Sequence, residues 1–139
     1  MKPYFYLIEI DKKVQHKITS TNLTYTFSPC FMNGDPIFCI VGGNEGRLEV
    51  WDVQKRTLVR LLKVEEENSN ITALTSLHNI LAVGTTDSPR LSLWNSQKWE
   101  KMWTEDYDLQ PVSVQLTNDL KYLVIGGVAG EKGIVLSIK

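Results

Sequence analysis

The sequence predicts an all-β protein built from a repeated unit of four short strands. Three observations lead to this fold class. The dipeptide Val41-Gly42 recurs as Val83-Gly84 and as Ile125-Gly126, at intervals of 42 residues. Two alternating apolar segments close with Trp51-Asp52 and Trp94-Asn95. Apolar residues do not recur at helical spacing over any stretch of ten or more residues, whereas short apolar or alternating segments are frequent.

Length and composition limit the kind of protein. With 139 residues, 42% of them hydrophobic, the chain amounts to one domain with its own core. A net charge of -1 makes nucleic-acid binding unlikely, because phosphate binders carry a cationic excess. We expect no membrane span, since no segment approaches about 18 apolar residues. Residues 1–10 lack a signal-peptide pattern, so an intracellular location, cytoplasmic or nuclear, is expected.

The repeat divides the chain into four parts. Residues 1–21 supply two strands, 22–64 and 65–108 supply four strands each, and 109–139 supply three. The predicted strands are Tyr4–Ile10, Val14–Ile18, Asn22–Ser28, Ile37–Val41, Arg47–Trp51, Thr57–Lys63, Ile71–Thr75, Ile80–Gly84, Leu91–Trp94, Trp99–Thr104, Val112–Leu116, Tyr122–Gly126 and Ile134–Ile138.

Each strand follows from local patterns. β-Branched and aromatic residues dominate the N-terminal strands, and Leu23, Tyr25 and Phe27 alternate with threonines in the next. Turn chemistry at 33–36 and 42–46 separates the strands that follow. Aligning the strand that ends at Trp51 places Ile10, Trp94 and Ile138 at the equivalent position, at intervals of 41, 43 and 44 residues.

Together these motifs resemble the WD-repeat β-propeller family. The segments that carry the resemblance are Leu48–Asp52, Leu91–Asn95 and Thr26–Pro29, and the period of 41 to 44 residues with four strands matches a propeller blade. The resemblance implies a partial propeller of about three blades, since 1–21 would be the last two strands of a preceding blade and 109–139 an incomplete one. It also implies that the tryptophans pack between strands.

The sequence departs from the family pattern in two ways. His16 and His78 are not at the family's histidine position, and Glu45 and Ser88 stand where the family often has an aspartate. We therefore expect the family's hydrogen-bonded network to be missing or rebuilt. In addition, propellers have about four to eight blades. The chain is then a piece of a longer protein, a self-associating unit in which Val14–Ile18 completes a blade in trans, or a unit completed by a partner.

No catalytic or metal-binding motif is recognisable, so we expect no enzyme activity and no cofactor or metal. The glycines of 42–46 lie between two strands and not before a helix, which indicates a hairpin turn rather than a phosphate loop. Cys30 and Cys39 flank a turn that could bring them together, but the absence of a secretory signal favours free thiols.

The propeller interpretation places many charged loop residues on one acidic rim. The candidate partner-binding residues are Glu45, Arg47, Glu65, Glu66, Glu67, Arg90, Glu105, Asp106 and Asp108. Solvated loops are the alternative interpretation of these charges. Trp99 and Trp103 are predicted to share one strand face, as core or as an exposed contact patch. We therefore expect a non-enzymatic protein-interaction scaffold; the alternative is a module that binds a modified peptide or a phospholipid head group at a rim.

Overall fold

The computed structural model describes residues 2–65, 69–86, 89–107, 110–127 and 134–137. These residues form thirteen strands in four antiparallel sheets, and no helix occurs among them. The all-β prediction is therefore confirmed. No helix that could span a membrane is present in the described part of the chain.

The four sheets follow one another along the chain. The first sheet contains β1 (Tyr4–Glu9) and β2 (Val14–Thr19). The second contains β3 (Thr26–Met32), β4 (Phe38–Gly43), β5 (Arg47–Asp52) and β6 (Thr57–Lys63). The third contains β7 (Asn70–Leu77), β8 (Ile80–Thr86), β9 (Arg90–Asn95) and β10 (Glu100–Asp106). The fourth contains β11 (Pro111–Leu116), β12 (Tyr122–Gly127) and β13 (Ile134–Ser137).

Each sheet packs face to face against the next, and an apolar cluster fills each junction. We call the face toward the preceding sheet the leading face and the face toward the following sheet the trailing face. Phe5 of the first sheet contacts Trp51 of the second, with ring centroids 5.9 Å apart. Ile40 and Val50 belong to the cluster between the second and third sheets. The cluster between the third and fourth sheets contains Leu93 and other residues of both sheets. Among the described residues, the series does not close into a ring.

Two glycines allow the sheets to approach closely. A Cβ on Gly42 would overlap the side chain of Ile71, whose own Cβ would be only 2.9 Å away. A Cβ on Gly84 would lie 2.9 Å from Cβ of Pro111. In both cases the first strand of one sheet rests on a glycine of the preceding sheet. The recurring Val-Gly dipeptide is therefore a packing requirement between sheets and not only a turn signal.

The structure corrects the alignment of the repeats. Lys13, Arg56 and Trp99 each end a four-residue turn after the third strand, and each has a positive φ of 55° or 56°. Their intervals are both 43 residues. This register makes Ile8, and not Ile10, the equivalent of Trp51 and Trp94.

The fourth sheet needs a similar correction. Leu136 pairs with Leu123 as Trp94 pairs with Leu81 in the third sheet, so Leu136 replaces Ile138 in the alignment. The intervals become 43, 43 and 42 residues. The sequence alignment went wrong at the outer repeats because no tryptophan marks the third strand there.

One predicted strand is shifted along the chain. The alternating residues Asn22–Ser28 were expected to be a strand, but β3 begins at Thr26. Side-chain oxygens hold the preceding segment: Ser20 Oγ accepts hydrogen bonds from the backbone nitrogens of Asn22 and Leu23, and Asn44 Oδ1 accepts from the next two. These local acceptors replace the pairing that a strand would need.

Trp99 and Trp103 do not lie in one strand, contrary to the sequence prediction. Trp99 is the last residue of a turn and β10 begins after it. An irregularity between Lys101 and Trp103 shifts the register with β9. Side chains before and after this point therefore do not alternate regularly between the two faces of the strand. The half-buried Trp99 packs on the cluster between the second and third sheets, and Trp103 is 37% exposed.

We predict that Gly42→Ala destabilises the protein by about 1–3 kcal/mol, because the new methyl group overlaps the strand that rests on it. Gly34→Ala is the control, since a Cβ there would lie 3.6 Å from the nearest atom in an exposed turn. Urea unfolding of both variants measures the effect. Equal midpoints for the two alanine variants would contradict the close-approach argument.

Candidate interaction surfaces

The acidic rim predicted from sequence is largely paired within the protein. Glu45 and Arg47 form an ion pair of 3.0 Å beside the β4–β5 turn. Arg90 Nε donates to Asp106 Oδ1 at 2.7 Å, and this hydrogen bond raises the pKa of Arg90 above its ordinary value. Glu105 is exposed on β10. Glu66, Glu67 and Asp108 lie outside the described residues.

Glu65 is buried, which differs from the solvated loop position that the sequence suggested. Its side chain is 1% exposed. Ser92 Oγ donates a hydrogen bond to its Oε1, and Lys101 Nζ lies 3.4 Å from the same oxygen. Arg90 Nη1 lies 3.4 Å from Oε2. The carboxylate therefore ties the link between the second and third sheets to the third sheet, and its oxygens face inward.

A related contact joins the first and second sheets with the roles exchanged. The buried Glu49 of β5 occupies the same repeat position as Ser92. Its Oε2 accepts hydrogen bonds from Ser20 Oγ (2.9 Å) and Asn22 Nδ2 (3.1 Å), and its Oε1 accepts from Trp51 Nε1 (3.1 Å). At each junction, a residue of the segment that connects the two sheets makes a polar contact with the third strand of the later sheet, β5 or β9.

The two tryptophans of the repeat differ in their hydrogen bonding. Trp51 Nε1 has Glu49 as its acceptor. Trp94 Nε1 is buried and has no acceptor among the described residues, because the corresponding position on its strand is Ser92. Lys101 Nζ lies 5.6 Å from the Trp94 ring centroid instead. A third-strand glutamate is thus the residue that satisfies the indole.

A cleft opens at the opposite end of the sheets, where the second and third sheets meet. Its volume is about 380 Å³. The β3–β4 turn and Phe38 line one side, Val59 and Arg60 of β6 another, and the turns that contain His78 and Trp99 the third. Arg60 Cζ lies 5.9 Å from the centroid of the Trp99 ring, within the range of a cation–π contact.

Sequence reasoning missed this cleft. The sequence predicts Trp99 as part of a strand and indicates no binding role for His78. A bulky aromatic residue in a turn between two strands was the available signal, because such turns prefer glycine, asparagine or aspartate. The cleft also needs three segments distant in sequence, which the sequence patterns do not bring together.

The two cysteines lie on opposite faces of the second sheet. Cys30 pairs with Ile40, while Cys39 pairs with Phe31, the neighbour of Cys30. Cys30 packs on the cluster toward the third sheet and Cys39 belongs to the cluster toward the first. Both are free thiols, as expected. Burial raises the pKa of Cys30 to about 12 and that of Cys39 to about 11.

No family model matches the chain, and no curated protein matches it. Among the described residues, no group of three or more His, Cys, Asp or Glu side chains could hold a metal ion.

We predict that Ser20→Ala destabilises the protein by about 1–3 kcal/mol. The substitution removes the hydroxyl donor to a buried carboxylate and the acceptor of two backbone N–H groups. The exposed neighbour gives a matched control, Thr21→Ala, for which we expect a change within about 0.5 kcal/mol. Urea unfolding compares the two variants, and an unchanged Ser20→Ala midpoint would refute the structural role of the contact.

We predict that the native thiols of Cys30 and Cys39 react slowly with Ellman's reagent at pH 8. Because their pKa values are raised, the unreactive protonated form predominates there, and the rate keeps increasing above pH 9. In urea both thiols react rapidly. The control is Phe31→Cys in the wild-type background, since Phe31 is 52% exposed on the same strand and its replacement adds one fast-reacting thiol. Rapid labelling of native wild type would contradict the prediction.

Proposed function

We propose that this chain is a partial WD-repeat-like propeller that acts as a non-enzymatic protein-interaction scaffold within a larger assembly. One observation carries the proposal: both ends of the sheet series expose faces whose counterparts are covered at the internal junctions. Such faces are suited to binding a further β-sheet. The assembly would supply that sheet.

The trailing face of the fourth sheet is the first exposed end. In the second sheet the residues at these positions are Phe38 and Ile40, of which Ile40 is fully buried beneath the third sheet. Their equivalents in the fourth sheet, 84 residues further along the chain, are Tyr122 and Val124, which are 48% and 39% exposed. The same positions therefore change from core to surface because no following sheet covers them among the described residues.

Gly126 supports the same interpretation. It occupies the position of Gly42 and Gly84, on which the first strand of a following sheet rests. Among the described residues, a Cβ on Gly126 would meet only Ser113 Oγ within 4 Å, at 3.2 Å. The space above Gly126 thus suits the first strand of an additional sheet.

The leading face of the first sheet is the second exposed end. Tyr4, Tyr6 and Ile8 alternate along β1 and are 43%, 52% and 56% exposed. Their equivalents in the second sheet contact the first sheet or the segment that follows it. Glu49 accepts a hydrogen bond from Ser20 of that segment, and Trp51 contacts Phe5 of the first sheet. Exposed apolar patches of this kind mark interaction sites.

A protein partner is the occupant that these end faces favour. A second copy of this chain, a different protein or a further part of a longer chain would each bring a sheet. The acidic rim, which includes Glu45, Arg47 and Glu105, remains a predicted contact surface for protein partners. Binding of a peptide or phospholipid head group is the second candidate function, and the cleft with Arg60 and His78 favours it.

We predict that a lysine introduced on either end face abolishes the assembly. The variants are Tyr6→Lys and Val124→Lys, and the control is Leu58→Lys, which alters a 38% exposed residue of the outer strand β6. Each tagged variant is expressed in cells, its associated proteins are quantified by mass spectrometry, and light scattering gives the molar mass of the purified chain relative to 15.8 kDa. We expect the amount of associated protein or of oligomer to fall at least tenfold in the two end-face variants and to stay at the wild-type level in the control.

The outcomes separate folding from binding. Circular dichroism and urea unfolding show whether each variant keeps the native sheets. Folded end-face variants that keep the wild-type associations would refute the proposal. A wild-type chain that is monomeric and captures no protein above the level of an unrelated tagged protein would refute it as well.

A further inference from the structure

The cleft between the second and third sheets has the size and composition of a binding site for one or two side chains. Its volume of about 380 Å³ lies within the range of ligand pockets, which are concave and mostly apolar with a few polar groups. Phe38, Val59 and Trp99 supply apolar surface from three different segments. A bulky apolar side chain that enters the cleft would therefore be covered on several sides.

The cleft offers the guanidinium of Arg60 to a carboxylate next to that side chain. Arg60 is exposed on β6, and no carboxylate of the described residues lies within ion-pair distance of it. His78 lies on the far side of the cleft, and Lys98 precedes Trp99 in the same turn. Asp35 in the β3–β4 turn is the acidic residue of the lining.

Asp52, the acidic residue at this end of the second sheet, lies outside the lining of the cleft. Asp52 is buried, and its Oδ1 accepts a hydrogen bond from the backbone nitrogen of Lys55 at 2.9 Å. Its carboxylate therefore serves the β5–β6 turn. Arg60 carries the positive charge of the lining and would attract and orient a carboxylate of a bound segment.

The backbone conformation of Trp99 is unfavourable for a large residue, but its side chain contributes a wall of the cleft. Its φ of 56° lies in the left-handed region, which costs a large side chain about 1 kcal/mol or more. The equivalent residues in the earlier repeats are Lys13 and Arg56, so the turn does not require an aromatic residue. The indole instead forms one wall of the cleft and lies under the guanidinium of Arg60.

We propose that this cleft binds a short acidic peptide segment of a partner protein. One bulky apolar side chain of the peptide packs between Phe38 and Trp99, and a neighbouring carboxylate pairs with Arg60. The arrangement resembles interface anchors in general, where a buried apolar group is accompanied by a charge pair at the edge. The site is separate from the end faces that carry the assembly.

The test uses the full chain and a phage-displayed library of random peptides. We expect enriched peptides to share a bulky apolar residue with an aspartate or glutamate within two positions of it. A synthetic peptide with that consensus is then titrated by fluorescence anisotropy. Arg60→Glu should weaken its binding at least tenfold, and replacing the peptide's acidic residue by lysine should restore binding to this variant. Affinity of the wild type should fall as salt increases.

Two further variants distinguish loss of the binding site from loss of the fold. Trp99→Gly removes one wall of the cleft but suits the left-handed φ, so we expect a folded protein that loses peptide binding at least tenfold. Lys121→Glu makes the same charge change as Arg60→Glu outside the cleft lining and should bind like the wild type. Peptides without a shared acidic residue, or equal binding by Arg60→Glu, would overturn the proposal.

The alternative ligands are outcomes of the same experiment. Binding to vesicles that contain anionic phospholipid, without enrichment of any peptide, would also overturn it. Failure of peptide binding leaves the assembly through the end faces untouched, and loss of that assembly in Tyr6→Lys or Val124→Lys leaves the cleft intact. The two proposals can therefore fail separately.

Discussion

The close approach of successive sheets is the constraint on which the remaining structure depends. Ile71 and Pro111 lie at the start of the third and fourth sheets, and each rests on a glycine of the sheet before it, Gly42 or Gly84. A side chain at either glycine would push the sheets apart and open the apolar clusters between them. The spacing of these glycines at 42 residues thus sets the period of the whole chain.

Polar contacts fix the sheets at a second point, further from the first strands. One link supplies the hydroxyl of Ser20 to the carboxylate of Glu49, and the next link supplies the carboxylate of Glu65 to the hydroxyl of Ser92. The donor and the acceptor are exchanged, yet the contact joins the same two parts of the repeat. A buried carboxylate is stable there because hydrogen-bond donors surround it. The exchange explains why the two repeats look dissimilar at these positions.

The surfaces available for binding are those that the repeated packing leaves uncovered. Pairing within the protein occupies much of the predicted acidic rim, and Glu65 is turned inward. The exposed faces around Tyr6 and Val124 remain because the series has no further sheet beside them among the described residues. The cleft beside Trp99 is bounded in part by the large side chain of this turn residue. These two kinds of surface suit different partners, a sheet and a short segment.

The sequence by itself determined the strands and their grouping, because period-two alternation, turn residues and the recurring Val-Gly dipeptide are local signals. It placed the thirteen strands within about two residues of their observed bounds, apart from β3, which is shifted by four residues. Only the tertiary structure decided the register at the outer repeats, where Ile8 and Leu136 replace the expected residues. It also decided that Glu65 is buried and that Trp99 lines a cleft. The burial of Glu65, for example, depends on its contact with Ser92, 27 positions further along the chain, and such a contact leaves no local pattern in a single sequence.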